Sequence, residues 1–277
     1  MSCTWTITQK MRLKELNSGY IEEKEFNSTK ERDEAFRAAE KNLRVKNLQQ
    51  LKTYCCEAGT PALCEIEKIL SEKLKEEGFL QVVTPTIISK EMLAKMTVDN
   101  KHPLFSQVFW LDENKCLRPM LAPNLYSVSK DLMRSVDKHI KLFEIGSCFR
   151  KESQGNTHLN EFTMLNLVEW GIPEEERNER LEELADLIMK AIGLDNYKLI
   201  KESSVVYGDT VDVMYKDIEV ASGSMGPHFL DGAWGISSTW VGLGFGLERL
   251  IMLKNNGLNV KSYSKSISYI NGIRLNL

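Results

Sequence analysis

The stretch Phe149-Arg150-Lys151-Glu152, followed ten residues later by Phe162, decides the fold. It lies between two apolar, strand-like runs and encloses a polar turn, so it predicts a β-hairpin. An arginine fork can clamp a phosphate and a carboxylate, a glutamate can accept from an adenine amino group, and a phenylalanine can stack on a purine. On its own, the pattern is equally compatible with a hairpin that carries a charged rim.

A glycine-rich run lies further along the chain, Gly242-Leu243-Gly244-Phe245-Gly246-Leu247-Glu248-Arg249-Leu250. Glycines let a backbone approach a ligand closely, and a helix that starts near Arg249 would favour a phosphate there. The run has neither the Gly-Lys-Ser/Thr of a Walker loop nor the spacing of a dinucleotide fingerprint. A glycine-rich strand packed tightly under a helix is the alternative that this run leaves open.

An amphipathic segment precedes both. Residues 62–77 have helical apolar spacing, Gly78 ends the predicted helix, and residues 79–85 read as a strand that stops at Pro85. A long helix followed by a strand and a terminal proline can form a seam between two chains.

These three elements, in this order, resemble the signature motifs of the class II aminoacyl-tRNA synthetases and span roughly residues 60 to 255. The resemblance implies the class II catalytic fold, an α+β fold with a sheet flanked by helices. Predicted hairpins outnumber predicted crossover units, which independently indicates a mostly antiparallel sheet. A short helical extension is expected over residues 1–58 and the catalytic domain over 59–277. Class precedent also implies a homodimer.

Further segments resemble one family within class II, the pyrrolysyl-tRNA synthetases, namely residues 121–126, 161–166, 206–210 and 240–242. The resemblance implies ATP-dependent ligation of pyrrolysine to its amber-suppressor tRNA, tRNA(Pyl), through an aminoacyl adenylate. Another class II synthetase, such as a phenylalanyl type, is one alternative; its shorter pocket would not need Asn166. A non-catalytic paralogue is the other, although it would need neither Arg150 nor Arg249.

The resemblance also assigns the ATP site. Arg150 is expected to bridge the α-phosphate and the substrate carboxylate, and Arg249 to hold the γ-phosphate of a bent ATP. The other expected ATP-binding residues are Glu152, His158, Leu159, Phe162, Glu219 and Ser222. Glu219 and Ser222 match the magnesium positions of the family, and oxygen ligands suit Mg²⁺. Without the resemblance, these two residues read as an exposed strand acid and a strand hydroxyl.

The amino-acid pocket is expected to be a long uncharged tunnel. Asn166, a polar residue in an apolar strand, resembles the asparagine that bonds the side-chain carbonyl of the substrate, and Tyr207 resembles the tyrosine of a loop that closes over the ring. The remaining wall residues are Ala122, Leu125, Tyr126, Met164, Val168 and Trp240. The alternatives for Asn166 and Trp240 are a core amide and a plain core aromatic. Val168 and Ser129 replace the cysteine and leucine of archaeal members, which is expected to reshape the tunnel.

The net charge of −3 argues against RNA binding, but the charge is unevenly distributed. Residues 37–52 contain five basic residues and one acid, a local balance of +4. The residues expected to contact tRNA are Arg37, Lys41, Arg44 and Lys46, with a solvated helix face as the alternative. We expect this protein to lack the N-terminal tRNA-binding domain that many family members carry. A separate RNA-binding polypeptide, as in the bacterial split form, is therefore an expected partner.

Composition argues against a membrane protein, a secreted protein and a zinc protein. The chain of 277 residues has neither an apolar run long enough to cross a bilayer nor an apolar N-terminal signal, so a cytoplasmic protein is expected. The six cysteines include an adjacent pair, and no histidine pair has metal-ligand spacing, which predicts reduced thiols and no zinc. Cys64 and Cys148 are expected to be buried.

Local patterns predict the remaining elements. Helices are expected at residues 10–16, 28–56, 122–136 and 174–192. Strands are expected at residues 108–111, 116–119, 197–202, 211–215, 218–221 and 226–231.

Overall fold

The structure, a computed structural model, describes residues 3–136, 139–151 and 158–277. Its helices are α1 (Ile7–Leu16), α2 (Thr29–Cys56), α3 (Ala62–Glu76), α4 (Lys90–Ala94), α5 (Ala122–Ser135), α6 (Arg177–Ala191), α7 (Asp231–Trp234) and α8 (Leu247–Lys254). Its strands are β1 (Cys3–Thr4), β2 (Glu25–Phe26), β3 (Leu80–Gln81), β4 (Ile87–Ser89), β5 (Lys115–Leu117), β6 (Ile140–Phe149), β7 (Glu161–Trp170), β8 (Lys198–Ser204), β9 (Gly208–Tyr215), β10 (Ile218–Gly226), β11 (Trp240–Gly246), β12 (Tyr269–Ile270) and β13 (Ile273–Arg274). Across these described ranges, no helix combines the length and apolar character needed to cross a membrane.

The larger of two compact units comprises residues 66–151 and 159–250. It is built on a seven-stranded sheet in the order β3-β6-β7-β11-β10-β9-β8. β3 runs parallel to β6, and all other neighbouring strands are antiparallel. The prediction of a mostly antiparallel α+β fold is confirmed.

The two faces of this sheet differ in how they are covered. Thr163, Leu165 and Leu167 of β7 are buried on one face, where Leu181 of α6 also lies within reach of Gly223. The alternate residues of β7, such as Met164 and Asn166, point to the other face and stay partly exposed. We call this second side the open face; it also carries Gly242, Gly244 and Gly246 of β11.

One end of the open face is closed by α5 and a group of aromatic side chains. Tyr126 of α5 packs edge-to-face on Trp170 and Trp240 and stacks on Trp234, with ring centres 5.3 to 6.1 Å apart. All four rings are buried in one apolar cluster. The opposite end of the open face, where β6 ends and β7 begins, is not covered by this cluster.

The smaller unit comprises residues 3–65, 158 and 251–277. Its core joins Trp5, Leu13 and Phe26 beneath α1 and α2, and the rings of Trp5 and Phe26 meet edge-to-face at 4.5 Å. The buried amide of Asn47 in α2 donates to the carbonyl of Leu16 and accepts the N–H of Arg274. These bonds fasten β13 to both helices.

The predicted helices agree closely with the observed ones, but three strand predictions need correction. Of residues 226–231, only Gly226 belongs to β10; the strand ends there because Pro227 lacks an N–H and the Asp231 carboxylate accepts the His228 N–H to form a turn before α7. Of residues 108–111, only Trp110 forms a bridge, to Cys116, and β5 pairs instead with the unpredicted β4.

The strand predicted at residues 79–85 is also shorter than expected. The β3 pairing ends because the Thr84 N–H donates to the Glu144 carboxylate instead of to a strand carbonyl. Among the cysteines, Cys148 is buried as predicted, whereas the prediction for Cys64 is wrong, because its side chain is exposed on α3.

Candidate active site

Arg150 follows the last residue of β6 and lies beside Phe162 of the neighbouring strand β7. Its guanidinium carbon is 5.4 Å from the centre of the Phe162 ring, and its Nε donates to the carbonyl of Pro119 at 2.9 Å. The Arg150 backbone N–H donates to the backbone carbonyl of Asn160 at 3.0 Å. The structure therefore brings together the cation and the aromatic ring that the sequence singled out.

A buried charge network, which the sequence analysis missed, supports the end of β6. Arg118 donates from Nε to the carbonyl of Ser147 at 2.8 Å, and its own carbonyl accepts the Phe149 N–H at 2.9 Å. Arg118 is paired with Glu144, and both side chains are buried. The signal in the sequence is a charged residue inside an apolar strand pattern, because such a residue must find a partner when it is buried.

Arg249 lies in the first turn of α8, at the same end of the open face as Arg150. Its Nη1 donates to the carbonyl of Glu219 at 2.9 Å and lies 3.6 Å from Glu219 Oε1. The preceding residue, Glu248, is buried and accepts the Thr163 N–H with both carboxylate oxygens at 2.9 Å. Since Thr163 adjoins Phe162, these bonds bring the start of α8 to the part of the sheet where Arg150 lies.

Glu219 and Ser222 project to the same face of β10 although they are three residues apart. Alternation along a regular strand would send them to opposite faces. The strand pairing shifts register between Glu219 and Ala221, so that Glu219 faces Met214 and Ser222 faces Asp212. This β-bulge reverses the alternation and places a carboxylate and a hydroxyl on one side.

Further along the open face, Asn166 and Met164 lie over a glycine. Asn166 pairs directly with Gly244 of β11. A Cβ atom at Gly244 would come within 3.2 Å of Asn166 Nδ2 and 3.3 Å of Met164 Cε. The amide and the thioether therefore occupy the space that a larger residue at position 244 would fill.

A buried carboxylate organises the aromatic end of the open face. Asp231 accepts the Tyr126 hydroxyl at 2.8 Å and the Trp240 indole N–H at 3.0 Å. Burial, with the Tyr207 and Asp231 charges as lesser causes, raises the pKa of Tyr126. Asp231 was not among the predicted site residues, and its position one helical turn before an isolated tryptophan gave no signal for this role.

The remaining predicted wall residues belong to the same apolar cluster. Ala122, Leu125 and Val168 are buried in it, and the partly buried Tyr207 packs against it with its ring centre 6.5 Å from that of Trp240. Ser129 is fully buried, and within the described part of the chain its hydroxyl has no hydrogen-bond partner.

Three further residues of the ATP site were predicted from the sequence. Glu152 lies outside the described residues, His158 is exposed, and Leu159 is partly exposed. Where the chain is described, no group of three or more His, Cys, Asp or Glu side chains is placed to hold a metal ion. A cation at Glu219 and Ser222 would therefore take further oxygen ligands, such as water or a bound phosphate.

The basic residues predicted to contact tRNA lie on α2 and are exposed. Arg37, Lys41 and Arg44 are spaced by four and three residues, so they share one face of the helix. Lys46 lies on a different face of α2, because it is two positions after Arg44 and two positions along a helix correspond to more than half a turn.

Residues 46–271 match the family described as tRNA synthetases class II core domain (F). A crystal structure of pyrrolysyl-tRNA synthetase from Desulfitobacterium hafniense is 54% identical, covers 100% of both chains and superposes with a TM-score of 0.93. A second structure, of Desulfitobacterium hafniense PylSc, a pyrrolysyl tRNA synthetase, is 55% identical over 99% of this chain and 98% of its own, with a TM-score of 0.92.

Curated relatives are more distant and much longer. A threonine–tRNA ligase of Wolbachia pipientis is 31% identical over 98 residues, which are 34% of this chain and 15% of that enzyme. Another, from a Wolbachia strain of Drosophila simulans, is 27% identical over 164 residues, 56% of this chain and 25% of the enzyme. The chain thus spans a quarter or less of the curated relatives it matches. The match over residues 46–271 and the full-length similarity to the Desulfitobacterium structures show that this chain belongs to the class II tRNA synthetases and, among them, to the pyrrolysyl-tRNA synthetase family.

Proposed function

We propose that this protein is a ligase that activates pyrrolysine with ATP and Mg²⁺ and transfers it to tRNA(Pyl). The observation that carries the proposal is the order of groups along one sheet. Arg150, Phe162 and Arg249 lie at the end where β6 ends and β7 begins, Asn166 lies in the middle, and Trp240 lies at the aromatic end. A nucleotide and a long apolar amino acid bound along this line would meet beside Arg150.

In the first step, the carboxylate of pyrrolysine attacks the α-phosphate of ATP, which gives an aminoacyl adenylate and pyrophosphate. Arg150 is oriented by the hydrogen bond that its Nε–H donates to the carbonyl of Pro119, and a guanidinium fork is suited to bridge the two reacting anions. Arg249 would bind the γ-phosphate and offset the charge of the leaving pyrophosphate. In the second step, the terminal ribose hydroxyl of tRNA attacks the adenylate carbonyl, loses its proton and forms the aminoacyl ester, while the acyl–phosphate bond breaks and AMP leaves.

Glu219 and Ser222 fit the magnesium role that the family implies. The bulge in β10 gives them one side of the sheet, and hard oxygen donors suit Mg²⁺, which commonly takes few protein ligands together with phosphate oxygens. When bound, the ion would offset charge on the triphosphate. Glu219 is 3.6 Å from Arg249, so a metal-bound triphosphate would supply the carboxylate with a cation and the guanidinium with an anion.

Pyrrolysine, an acylated lysine, suits the amino-acid side of the open face. Asn166 can donate its amide to the side-chain carbonyl, and Tyr207 can cover the ring. Free lysine would bring an ammonium group that needs a counter-ion. Two buried carboxylates of this unit, Glu144 and Asp231, are already bonded, to Arg118 and to Tyr126 and Trp240 respectively.

The same proposal covers the partners. The exposed face of α2 that carries Arg37, Lys41 and Arg44 suits a phosphate backbone. We propose Lys46 as a further contact on the neighbouring surface, a homodimer of this chain, and assistance from a separate RNA-binding polypeptide. The protein would act in the cytoplasm, where its tRNA is charged.

Exchange of labelled pyrophosphate into ATP tests the activation step. We expect exchange with pyrrolysine and none above background with phenylalanine or lysine. Exchange with phenylalanine instead would assign a phenylalanyl-type enzyme, and no exchange with any amino acid would indicate a non-catalytic paralogue. Aminoacylation of the amber-suppressor tRNA by this chain, with and without an RNA-binding polypeptide of the split form, then tests the partner.

A further inference from the structure

The turn between β8 and β9 lies at one edge of the large sheet. β8 is the outermost strand of the sheet, and most of its residues are exposed. The turn residues Val206 and Tyr207 nevertheless pack on the apolar cluster at the aromatic end of the open face. Ser204 accepts the Tyr207 N–H at 2.9 Å, which shapes the turn but does not attach it to the rest of the unit.

Two histidines from separate segments make that attachment. His102 Nε2 lies 3.0 Å from the carbonyl oxygen of Val205, and His228 Nε2 lies 2.6 Å from that of Tyr207. The His102 residue precedes a short 3₁₀ helix, and His228 follows β10. The same three-residue turn is therefore bonded from two directions.

The other ring nitrogen of each histidine decides which group donates. Nδ1 of His102 accepts the Leu104 N–H at 3.1 Å, and Nδ1 of His228 accepts the Leu230 N–H at 3.3 Å. A backbone N–H can only donate, so each Nδ1 carries no proton and each Nε2 carries it. Both imidazoles are thus oriented by their own loops to donate to the turn.

His228 also links the turn to the pocket wall. Its backbone N–H donates to Asp231, the carboxylate that bonds Tyr126 and Trp240. The His228 ring packs against that of Tyr207, with ring centres 5.6 Å apart. The position of Tyr207 relative to Trp240 is therefore set through one histidine that is rooted in the same carboxylate as the aromatic wall.

We propose that His102 and His228 are positioning residues that hold the Val205–Tyr207 turn over the amino-acid pocket and so increase the affinity for the amino acid. The proposal rests on the proposed function, since it concerns the pocket assigned there. It requires the donated hydrogen bond and not merely a ring of suitable size. Glutamine can supply an amide donor close to the position of Nε2, whereas phenylalanine keeps a flat ring but has no donor.

The test compares His228→Phe with His228→Gln in two measurements. The first is the KM for pyrrolysine in pyrophosphate exchange, which should rise about fivefold in His228→Phe, as expected for one lost hydrogen bond, while the KM for ATP stays within about twofold. The second is hydrogen exchange of the peptide that contains residues 204–208 in the protein without substrate, which should become about fivefold faster. His228→Gln should remain near wild type in both, and His102→Phe should accelerate exchange of the same peptide.

His139→Gln is the matched control, because His139 also bonds a side chain of the larger unit but is remote from the turn in sequence and partners. It should leave both measurements unchanged. The proposal would be overturned if His228→Phe had the hydrogen-exchange rate and the KM of the wild type, or if His228→Gln were as impaired as His228→Phe. If the wild type fails to activate pyrrolysine but His228→Phe still accelerates hydrogen exchange of the turn, the proposed substrate is wrong and the attachment of the turn stands.

Discussion

Arg118 Nη1 lies 2.8 Å from Glu144 Oε1, and only 3% and 1% of the two side chains are exposed. Thr84 donates its hydroxyl to the same carboxylate at 2.6 Å, and Asn124 donates to the Thr84 hydroxyl, also at 2.6 Å. Three segments that are distant in sequence therefore meet at one buried ion pair. The network includes the residue before Pro85, the start of α5 and the strand that leads to Arg150.

We expect Arg118→Met to lower the free energy of unfolding by about 3–5 kcal/mol, because it leaves the Glu144 carboxylate buried without its cation. Urea denaturation followed by circular dichroism would measure this. Lys73→Met, which breaks an exposed pair with Glu76, should change stability by no more than about 0.5 kcal/mol. An Arg118→Met loss as small as that of the control would mean that the pair does not hold the unit together.

Gly244→Ala should weaken binding of the amino acid with little effect on folding. The added methyl would meet Asn166 at 3.2 Å and Met164 at 3.3 Å, so the amide must move away from its present position. We expect the KM for pyrrolysine to rise about tenfold, while the KM for ATP changes little; displacing one hydrogen-bonding group costs roughly 1 kcal/mol or more. Pyrophosphate exchange at varied amino-acid concentration measures both constants.

Gly232→Ala is the control for that substitution, because a Cβ at Gly232 would meet nothing within 4 Å. It should leave both constants unchanged. An unaltered KM for pyrrolysine in Gly244→Ala would show that the substrate does not depend on the position of Asn166.

The bulge in β10 leads to a prediction about magnesium. Since Glu219 and Ser222 share a face, Glu219→Gln and Ser222→Ala should each raise the Mg²⁺ concentration that gives half-maximal pyrophosphate exchange, by about fivefold for loss of one ligand. Glu202→Gln, at an exposed position of β8, should not change it. A magnesium requirement equal to wild type in both site variants would argue against these two residues as ligands.

Local sequence signals account for much of the fold. The apolar run of β6 and the period of α5 predicted both elements, and Ser28 accepts the Glu31 N–H where the helix α2 was expected to begin. Arg150 and Phe162 could be paired from the sequence because a hairpin fixes which residues of two adjacent strands meet. Such information is contained within a few tens of residues.

The other features depend on contacts between distant segments. Nothing near Ile88 indicates that β4 pairs with β5, and nothing near Asp231 indicates that its carboxylate bonds Tyr126, 105 residues away. The bulge that places Glu219 beside Ser222 is a property of strand pairing, whereas their spacing of three residues in a regular strand would place them on opposite faces. Family resemblance supplied these two positions where local pattern could not.

Glu169 gives a prediction about pH. It is buried between β7 and α6, where it accepts Arg180 Nε at 2.8 Å and lies 3.1 Å from His139 Nε2 and 3.3 Å from Lys141 Nζ. Burial raises the pKa of this carboxyl, but the hydrogen bonds from Arg180 and His139 outweigh it and hold the pKa below its ordinary value of 4.5. A lowered folded-state pKa means that the ionised form stabilises the fold.

That stabilisation is present above the unfolded-state pKa and is lost as the pH falls through the folded-state value. We expect Glu169→Gln to be less stable than wild type by about 2 kcal/mol at pH 7, and this difference to shrink as the pH is lowered below about 4.5. Urea denaturation of both proteins across pH 3 to 7 measures the difference directly. Glu183→Gln, which removes the exposed partner of Arg180, should differ from wild type by less than about 0.5 kcal/mol. A gap for Glu169→Gln that stays constant or widens in acid would show that the carboxylate is not stabilised by its cations, because protonation would then cost the wild type nothing.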